Sequence, residues 1–377
     1  MIKVLHIVPG LSVGGAEMML LKLVSASDKS RFDHHVLSLR GYDALGGEME
    51  RAGAQLHCLS MKAGEVSISG VVRLMRLVRT LRPNILQGWM YHGNLAASFC
   101  KLFAPSRAKT IWNIRHGVDG VTPLKAGTAR VARLGGRLPV KPSVIINNSR
   151  RSAELHSRLG YPLDRSVIIP NGFDCDRFKP SRKSHEQMHM ALGVPEASML
   201  VGIVGRYHPD KNYDSFIAAA VQIARKCSTV HFVLVGNGID ADNELLTTQI
   251  RQSGFADRFH LLGMRNDVHD LMPAFNVFCS SSIQEGFSNV IGEAMACAVP
   301  CVATDVGDSA WIVNGAGIVV PPRDVGALAD GLMEMLNMPE AKRREMGNQA
   351  RQRVLEHFSL QNIVAQYESL YENLVRQ

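Results

Sequence analysis

The sequence predicts an α/β protein of two domains, each built on a parallel sheet with helices on its faces. Three observations predict it. Strand-like apolar runs alternate with helix-period segments along the chain, the pattern of repeated βαβ units. At 377 residues the chain is too long for one ordinary core. The pattern also restarts near residue 200, after a polar, turn-rich stretch.

The chain opens as strand, loop and helix: Ile2–Val8, then Pro9-Gly10-Leu11-Ser12-Val13-Gly14-Gly15, then a helix from Ala16 to about Ala26. Glycine lets a backbone approach a ligand closely, and the helix start supplies unpaired amides for an anion. The loop lacks the G-x-G-x-x-G spacing of a dinucleotide site, and no acid ends the next strand-like run, His35–Leu39. An NAD-type oxidoreductase is therefore disfavoured. Alternation continues with strand Gln55–Leu59, helix Ile68–Thr80, strand Ile85–Gln87, helix Asn94–Phe103 and strand Thr110–Ile114. Ligands of such sheets bind beyond the carboxyl ends of the strands, which is where Arg115-His116-Gly117 falls. His116 there either acts on a substrate or is structural. Gly120–Lys141 reads as a basic surface element with one weak helix. Strands Ser143–Asn147 and Val167–Ile169 end the first half. The turn signal Pro170-Asn171-Gly172-Phe173-Asp174 and a polar, helix-poor stretch from Lys179 to His189 put the domain boundary at about 170–195.

The second half restarts with the buried strand Leu200-Val201-Gly202-Ile203-Val204-Gly205. Arg206 and Lys211 follow before helix Tyr213–Lys226. Two cations at a strand's carboxyl end suit a diphosphate, the guanidinium bidentate and the ammonium as a point charge. Strand His231–Gly236, helix Glu244–Ser253 and strand His260–Leu262 come next, the last ending in Gly263-Met264-Arg265, a loop on which a base could rest. After strand Asn276–Cys279 lies the most chemically specific stretch, Glu285-Gly286-Phe287-Ser288-Asn289-Val290-Ile291-Gly292-Glu293. Val290, Ile291, Ala294, Met295 and Ala298 have helical spacing, so Glu285 stands ahead of a helix start and Glu293 about one turn inside it. Amides of that first turn form an anion site, while the flanking carboxylates suit hydroxyl groups. Strands Pro300–Ala303 and Gly317–Val320 and helices near Ala327–Leu336, Ala341–His357 and Gln361–Val375 complete the chain. The domains expected are 1–180 and 190–355, with 356–377 a last helix packing back on the first domain.

Charge is uneven. Residues 1–170 hold 24 Lys+Arg against 10 Asp+Glu, and the remainder 18 against 24. Arg73, Arg76, Arg79 and Arg82 recur along one helix, and Arg130, Arg133 and Arg137 repeat the pattern, which fits either an anionic membrane surface or a solvated face. Aromatic residues, at 6%, do not interleave with these stripes as a nucleic-acid stacking platform requires. The seven cysteines form no C-x-x-C pair and read as reduced core thiols. No run approaches the ~18 apolar residues of a membrane span. The short apolar start reads as the first strand of a cytoplasmic protein.

In order along the chain, Gly14-Gly15-Ala16-Glu17, Arg115-His116-Gly117, Pro170-Asn171-Gly172-Phe173-Asp174, Gly205-Arg206 with Lys211, Glu285-Gly286-Phe287 with Glu293-Ala294-Met295-Ala296, and Asp305-Val306-Gly307 resemble the motifs of the family 4 retaining glycosyltransferases. The resemblance spans nearly the whole chain; the two glutamates with seven residues between are its most specific element. It implies the GT-B fold, two Rossmann-like domains facing each other across a cleft. It further implies transfer of a hexosyl or N-acetylhexosaminyl group from a nucleotide sugar, UDP-linked in preference, to a lipid-linked or cell-surface glycan acceptor in polysaccharide biosynthesis, at the inner membrane face. By the same resemblance Glu285 would hold the donor sugar, Glu293 the ribose, Arg206 and Lys211 the diphosphate, and the amides of Gly14, Gly15, Phe287, Ser288 and Asn289 the phosphates. Gly263, Met264 and Arg265 would line the base, His116 would touch the sugar, and no metal or other cofactor would be needed. The triplets Asp174-Cys175-Asp176 and Asp240-Ala241-Asp242 read as structural. The family commonly has glycine where Ala298 precedes Val299-Pro300. A sugar-nucleotide epimerase of the same fold and a basic lipid- or nucleic-acid-binding module are the alternatives.

Overall fold

The computed structural model describes residues 1–62, 67–115, 126–138 and 141–377. They form two compact units. The first holds seven strands, β1 (Ile2–Val8), β2 (Phe32–Ser38), β3 (Gln55–Cys58), β4 (Ile85–Trp89), β5 (Lys109–Ile114), β6 (Val144–Asn147) and β7 (Ser166–Ile168). All its strand pairs are parallel, in the order β3-β2-β1-β4-β5-β6-β7. The second holds β8 (Met199–Val204), β9 (Val230–Val235), β10 (Phe259–Leu261), β11 (Val277–Ser280), β12 (Cys301–Thr304) and β13 (Gly317–Val320), again all parallel, in the order β10-β9-β8-β11-β12-β13. In each sheet the order reverses about its first strand, between β1 and β4 and between β8 and β11. Loops leaving neighbouring strands diverge at such a switch point and leave room for a ligand.

Both sheets are buried on two faces, which explains why their strands read as unbroken apolar runs. Along β8 the residues alternate, Leu200 joining one cluster with Phe278, Ile291 and Met295, and Val201 and Ile203 the other with Phe216, Phe232 and Leu332. In β1, Val4 and Val8 pack with Leu20, Trp89, Tyr367 and Tyr371, while Leu5 and Ile7 face Leu74, Val78 and Leu86.

The chain leaves the first unit at Gly172 and returns to it at Leu360, against the sequence-based limits of 180 and 356. The reason is local: the Phe173 amide donates to the Phe358 carbonyl at 2.8 Å, and Phe173 lies in the core of the second unit. The last helix, Leu360–Arg376, is part of the first unit. Its Glu368 accepts from the Ser27 hydroxyl and the Asp28 amide, both at 2.8 Å, and Tyr371 donates to Gln87 Oε1 at 2.5 Å.

One sequence reading is overturned. The stretch expected to be helix-poor, Lys179 to His189, is largely the helix Arg182–Leu192. Ser181 caps it by accepting the Ser184 amide at 3.1 Å, and Gly193 ends it in the left-handed region at φ +66. Its buried residues are Ser184, Met188 and a histidine, His189, whose ring nitrogens lie 2.8 and 3.0 Å from the carbonyls of His185 and Ser198. A buried histidine is invisible to an apolar-period search. Short helices at Gly46–Arg51, Arg150–Ser157 and Ser309–Val313 also lacked a periodic signal.

Ala298 stands at φ +58, where a glycine would be unstrained. Ala298→Gly is expected to stabilise the protein by about 0.5–1 kcal/mol, the relief of strain outweighing the added freedom of the unfolded chain; thermal unfolding checks it. A second expectation concerns the buried pair His6 and His34. The Trp89 indole can only donate, to His6 Nδ1 at 3.2 Å, so the His6 proton sits on Nε2 and is donated to His34 Nδ1 at 2.9 Å. Burial above all, then the nearby Lys29, lowers the His34 pKa to about 4. The unfolded histidine titrates near 6.5, so the stability present above that pH is lost as the pH falls towards 4. His34 alone should lower the unfolding free energy by on the order of 2 kcal/mol between pH 7 and 5, read as a falling Tm.

Candidate active site

The loops leaving β8 and β11 meet at the switch point of the second sheet. Val277 pairs with Val201 and Phe278 with Gly202, which sets both strand ends side by side. Gly202 permits it, since a Cβ there would lie 2.1 Å from the Phe275 ring. After β8 the chain runs through Gly205 and Arg206 into a short 3-10 turn, Pro209–Lys211, and then helix Tyr213–Ala224. After β11 it runs through Ser281, Ser282 and Glu285 to helix Asn289–Ala296. Backbone ties join the two loops: Ser281 Oγ donates to the Lys211 carbonyl at 2.8 Å, and the Ile283 amide to the Asp210 carbonyl at 2.8 Å.

On this frame the Lys211 ammonium and Glu285 Oε1 form an ion pair at 2.5 Å. Ser282 Oγ donates to the same carboxylate oxygen at 2.9 Å. Both charged side chains are largely withdrawn from water, at 23% and 15% exposure. Arg206 opens the same loop as Lys211, is exposed, and makes no ion pair among the described residues. The Glu285–Gly286 turn is backed by Gly307 at φ +57, where a Cβ would lie 2.4 Å from the Glu285 carbonyl oxygen. The Asp308 amide donates to the Gly286 carbonyl at 3.1 Å. The motif Asp305-Val306-Gly307 therefore has a physical task, which is to support the acid turn from the neighbouring strand.

Phe287 turns its ring inward, stacked on Phe173 at 6.1 Å and edge-on to Trp311 and Phe358. It anchors the turn from which the helix starts. Ser288 is the N-cap, yet its side chain caps nothing; its buried Oγ lacks a partner among the described residues. The N-cap side chain thus does not satisfy the first-turn amides of this helix, and helix starts are where anions bind. Glu293 sits half-buried about one turn into this helix.

Gly263, Met264 and Arg265 follow β10 and join the same end of the sheet through the β9 loop. The Gly236 amide donates to the Gly263 carbonyl and the Tyr207 amide to the Asn237 carbonyl, each at 2.8 Å. Gly263 is left-handed at φ +64 and Met264 is exposed, while Arg265 is held by Asp267 at 2.8 and 2.6 Å. The Arg265 charge is thus already engaged.

In the first unit, Gly14 and Gly15 begin helix Gly15–Ala26, again without a side-chain cap. The Glu17 carboxylate folds back over Gly14, where a Cβ would lie 2.5 Å from it, and burial raises its pKa. His116 lies outside the described residues. Its neighbour Arg115 is held by Tyr367 at 2.7 Å, Asn171 at 2.6 Å and the Pro170 carbonyl at 3.2 Å. Sequence reasoning missed Ser282 and Thr304, which donates from Oγ1 to the carbonyls of Ser280 and Ser282; a hydroxyl three residues before a loop carboxylate was the available signal. The two aspartate triplets are turn devices: Asp174 Oδ1 accepts the amides of Asp176 and Arg177, and Asp240 Oδ1 that of Asp242.

Two doubly wound parallel sheets, the second carrying a lysine–glutamate couple and an uncapped helix start at its switch point, define a chain of the GT-B class. Solved structures share the fold: that of Anabaena Alr3699/HepE in complex with UDP superposes with a TM-score of 0.83 at 21% identity, covering 99% of this chain and 100% of the other. Residues 13–177 match the model for Glycosyltransferase Family 4 and residues 198–338 that for Glycosyl transferases group 1. The capsular polysaccharide biosynthesis glycosyltransferase CapM of Staphylococcus aureus is 30% identical over 93% of this chain and 92% of its own length. A UDP-Gal:alpha-D-GlcNAc-diphosphoundecaprenol alpha-1,3-galactosyltransferase of Escherichia coli is 26% identical over 55% of this chain and 54% of its own. The chain belongs to the family 4 glycosyltransferases.

Gly307→Ala tests the support of the acid turn. It is expected to cost about 1–3 kcal/mol in thermal unfolding, because the added methyl meets backbone oxygens that cannot rotate away.

Proposed function

We propose that this chain moves a sugar, hexosyl or N-acetylhexosaminyl, from a UDP-sugar to a lipid-linked or cell-surface glycan acceptor in polysaccharide biosynthesis, retaining the anomeric configuration. The observation that carries this reading is the meeting of Lys211, Glu285 and an uncapped helix start at the β8–β11 switch point. UDP in the HepE complex, the capsule role in CapM's name and the diphosphoundecaprenol acceptor in the Escherichia coli enzyme's name support donor and acceptor class.

Transfer breaks the bond between the sugar's anomeric carbon and the diphosphate, and the acceptor hydroxyl forms the new one on the same face. Negative charge grows on the departing diphosphate. Arg206, Lys211 and the amides of Phe287, Ser288 and Asn289 are fixed before it develops, which is how preorganised donors lower a barrier. Arg206 and Lys211 take the charge-neutralising place that a metal would otherwise fill. The Glu285 oxygen not taken by Lys211 and Ser282 accepts a sugar hydroxyl, and Glu293 holds the ribose. Gly263 to Arg265 border the base through backbone groups.

The acceptor class suits a membrane-facing first unit. The helix Ile68–Leu81 carries Arg73, Arg76 and Arg79, with exposed Ile68 and Val72 beside them. Among the described residues no helix is long and apolar enough to cross a membrane, so contact would be with the surface, and sedimentation with anionic vesicles at low and high salt reads it.

UDP is expected to raise Tm more than GDP or ADP, by mass action on a folded-state site. Arg206→Ala should lower kcat/KM by about 10²–10³-fold, and Glu285→Ala should abolish transfer in a folded protein. A folded, fully active Glu285→Ala would defeat the reading, and product formation from the donor alone would replace it with an epimerase.

A further inference from the structure

The Lys211–Glu285 pair poses a physical problem for any diphosphate that arrives. The ammonium meant for the phosphates is already in contact with a carboxylate, reinforced on its carboxylate side by Ser282. The loops do not need that ion pair to stay together. Ser281 Oγ to the carbonyls of Lys211 and Asn212 and the Ile283 amide to the Asp210 carbonyl bind them independently. A contact that the scaffold does not require, placed on the charge the ligand requires, acts on the ligand.

We propose that Glu285 is the internal counter-anion of Lys211, a carboxylate that competes with the diphosphate for the ammonium and so weakens retention of the spent nucleoside diphosphate. This rests on the transferase reading above and adds to it a regulation of product release. Both groups are largely withdrawn from water, so their attraction is less screened than that of a surface pair. Arg206, exposed and without an acid partner among the described residues, supplies the initial attraction. With Lys211 balanced by Glu285, the arriving diphosphate meets one uncompensated cation, and its own charge must displace or share the second. The intact donor has an additional hold, through its sugar, on the other Glu285 oxygen. The product has lost that sugar and retains only the contest. The carboxylate therefore favours donor over product at one site, with one side chain.

The inference makes an unusual forecast: removing a residue of the site should tighten nucleoside diphosphate binding while transfer is lost. The experiment is calorimetric titration with UDP of wild type, Glu285→Gln, Glu285→Ala, Lys211→Met and the double variant Glu285→Gln/Lys211→Met, with UDP-sugar turnover measured on each. UDP is expected to bind Glu285→Gln and Glu285→Ala about 3- to 30-fold more tightly than wild type, the range for relieving a partly screened charge contact. The gain should vanish when Lys211→Met is the background, since the effect runs through the ammonium. Unchanged or weaker UDP binding in both Glu285 variants overturns the inference, as does an equal gain in the Lys211→Met background. Wild-type protein that binds UDP and turns over UDP-sugar while the variants show no gain leaves the transferase reading standing and defeats only the counter-anion. Wild-type protein that binds no UDP defeats both.

Discussion

Pairing of β8 with β11 is the contact on which the candidate site depends. These strands are far apart in sequence, yet their registration at Val201–Val277 and Gly202–Phe278 sets the cation loop beside the acid turn. Gly202 makes room for the Phe275 ring, and Gly236 makes room for the Gly205 carbonyl, which would lie 1.8 Å from a Cβ there. Close approach of backbones at the strand ends, enforced by absent side chains, is what turns a generic parallel sheet into a surface of converging donors. Each later feature is a consequence: Lys211 reaches Glu285 only because both leave adjacent strands at the same level.

The first unit solves a different problem, a cation without an acid. Arg115 is half-buried at the end of β5 and is held by neutral oxygens, those of Asn113, Asn171, Tyr367 and Pro170, with its guanidinium over the Trp89 ring at 5.7 Å. Neutral acceptors satisfy its fork of donors without cancelling its charge. The arrangement requires the last helix, since Tyr367 belongs to it, and the segment by which the chain leaves the unit, since Pro170 and Asn171 belong to that. Return of the chain at Leu360 is thus part of how the first sheet's carboxyl end is built.

Much of this was legible in the sequence, for reasons that can be named. Strands buried on both faces write themselves as short apolar runs, so the alternation and both sheets could be read from Val4 to Val320. The candidate site's polar residues stood out by position, Arg206 and Lys211 just past one strand and Glu285 and Glu293 around a helix start past another. What could not be read is what lies between segments. Nothing local says that Lys211 and Glu285 touch, that Arg265 is engaged by Asp267, or that Gly307 supports a turn in another loop. The helix Arg182–Leu192 hid for a different reason, because two of its three buried residues, Ser184 and the carbonyl-bonded His189, are polar.

Charge distribution connects these observations to chemistry. Residues 171–377 are acidic overall, with 18 Lys+Arg against 24 Asp+Glu, a poor background for a polyanion. Attraction must therefore come from local sources, and the structure offers the exposed Arg206 and the start of helix Asn289–Ala296, whose N-cap side chain makes no capping bond. A second free cation would deepen the well for substrate and product alike, and uniform binding of that kind adds nothing to turnover. Setting a carboxylate against Lys211 leaves the site positive enough to attract and too balanced to hold, so the distinction between loaded and spent nucleotide falls to the sugar.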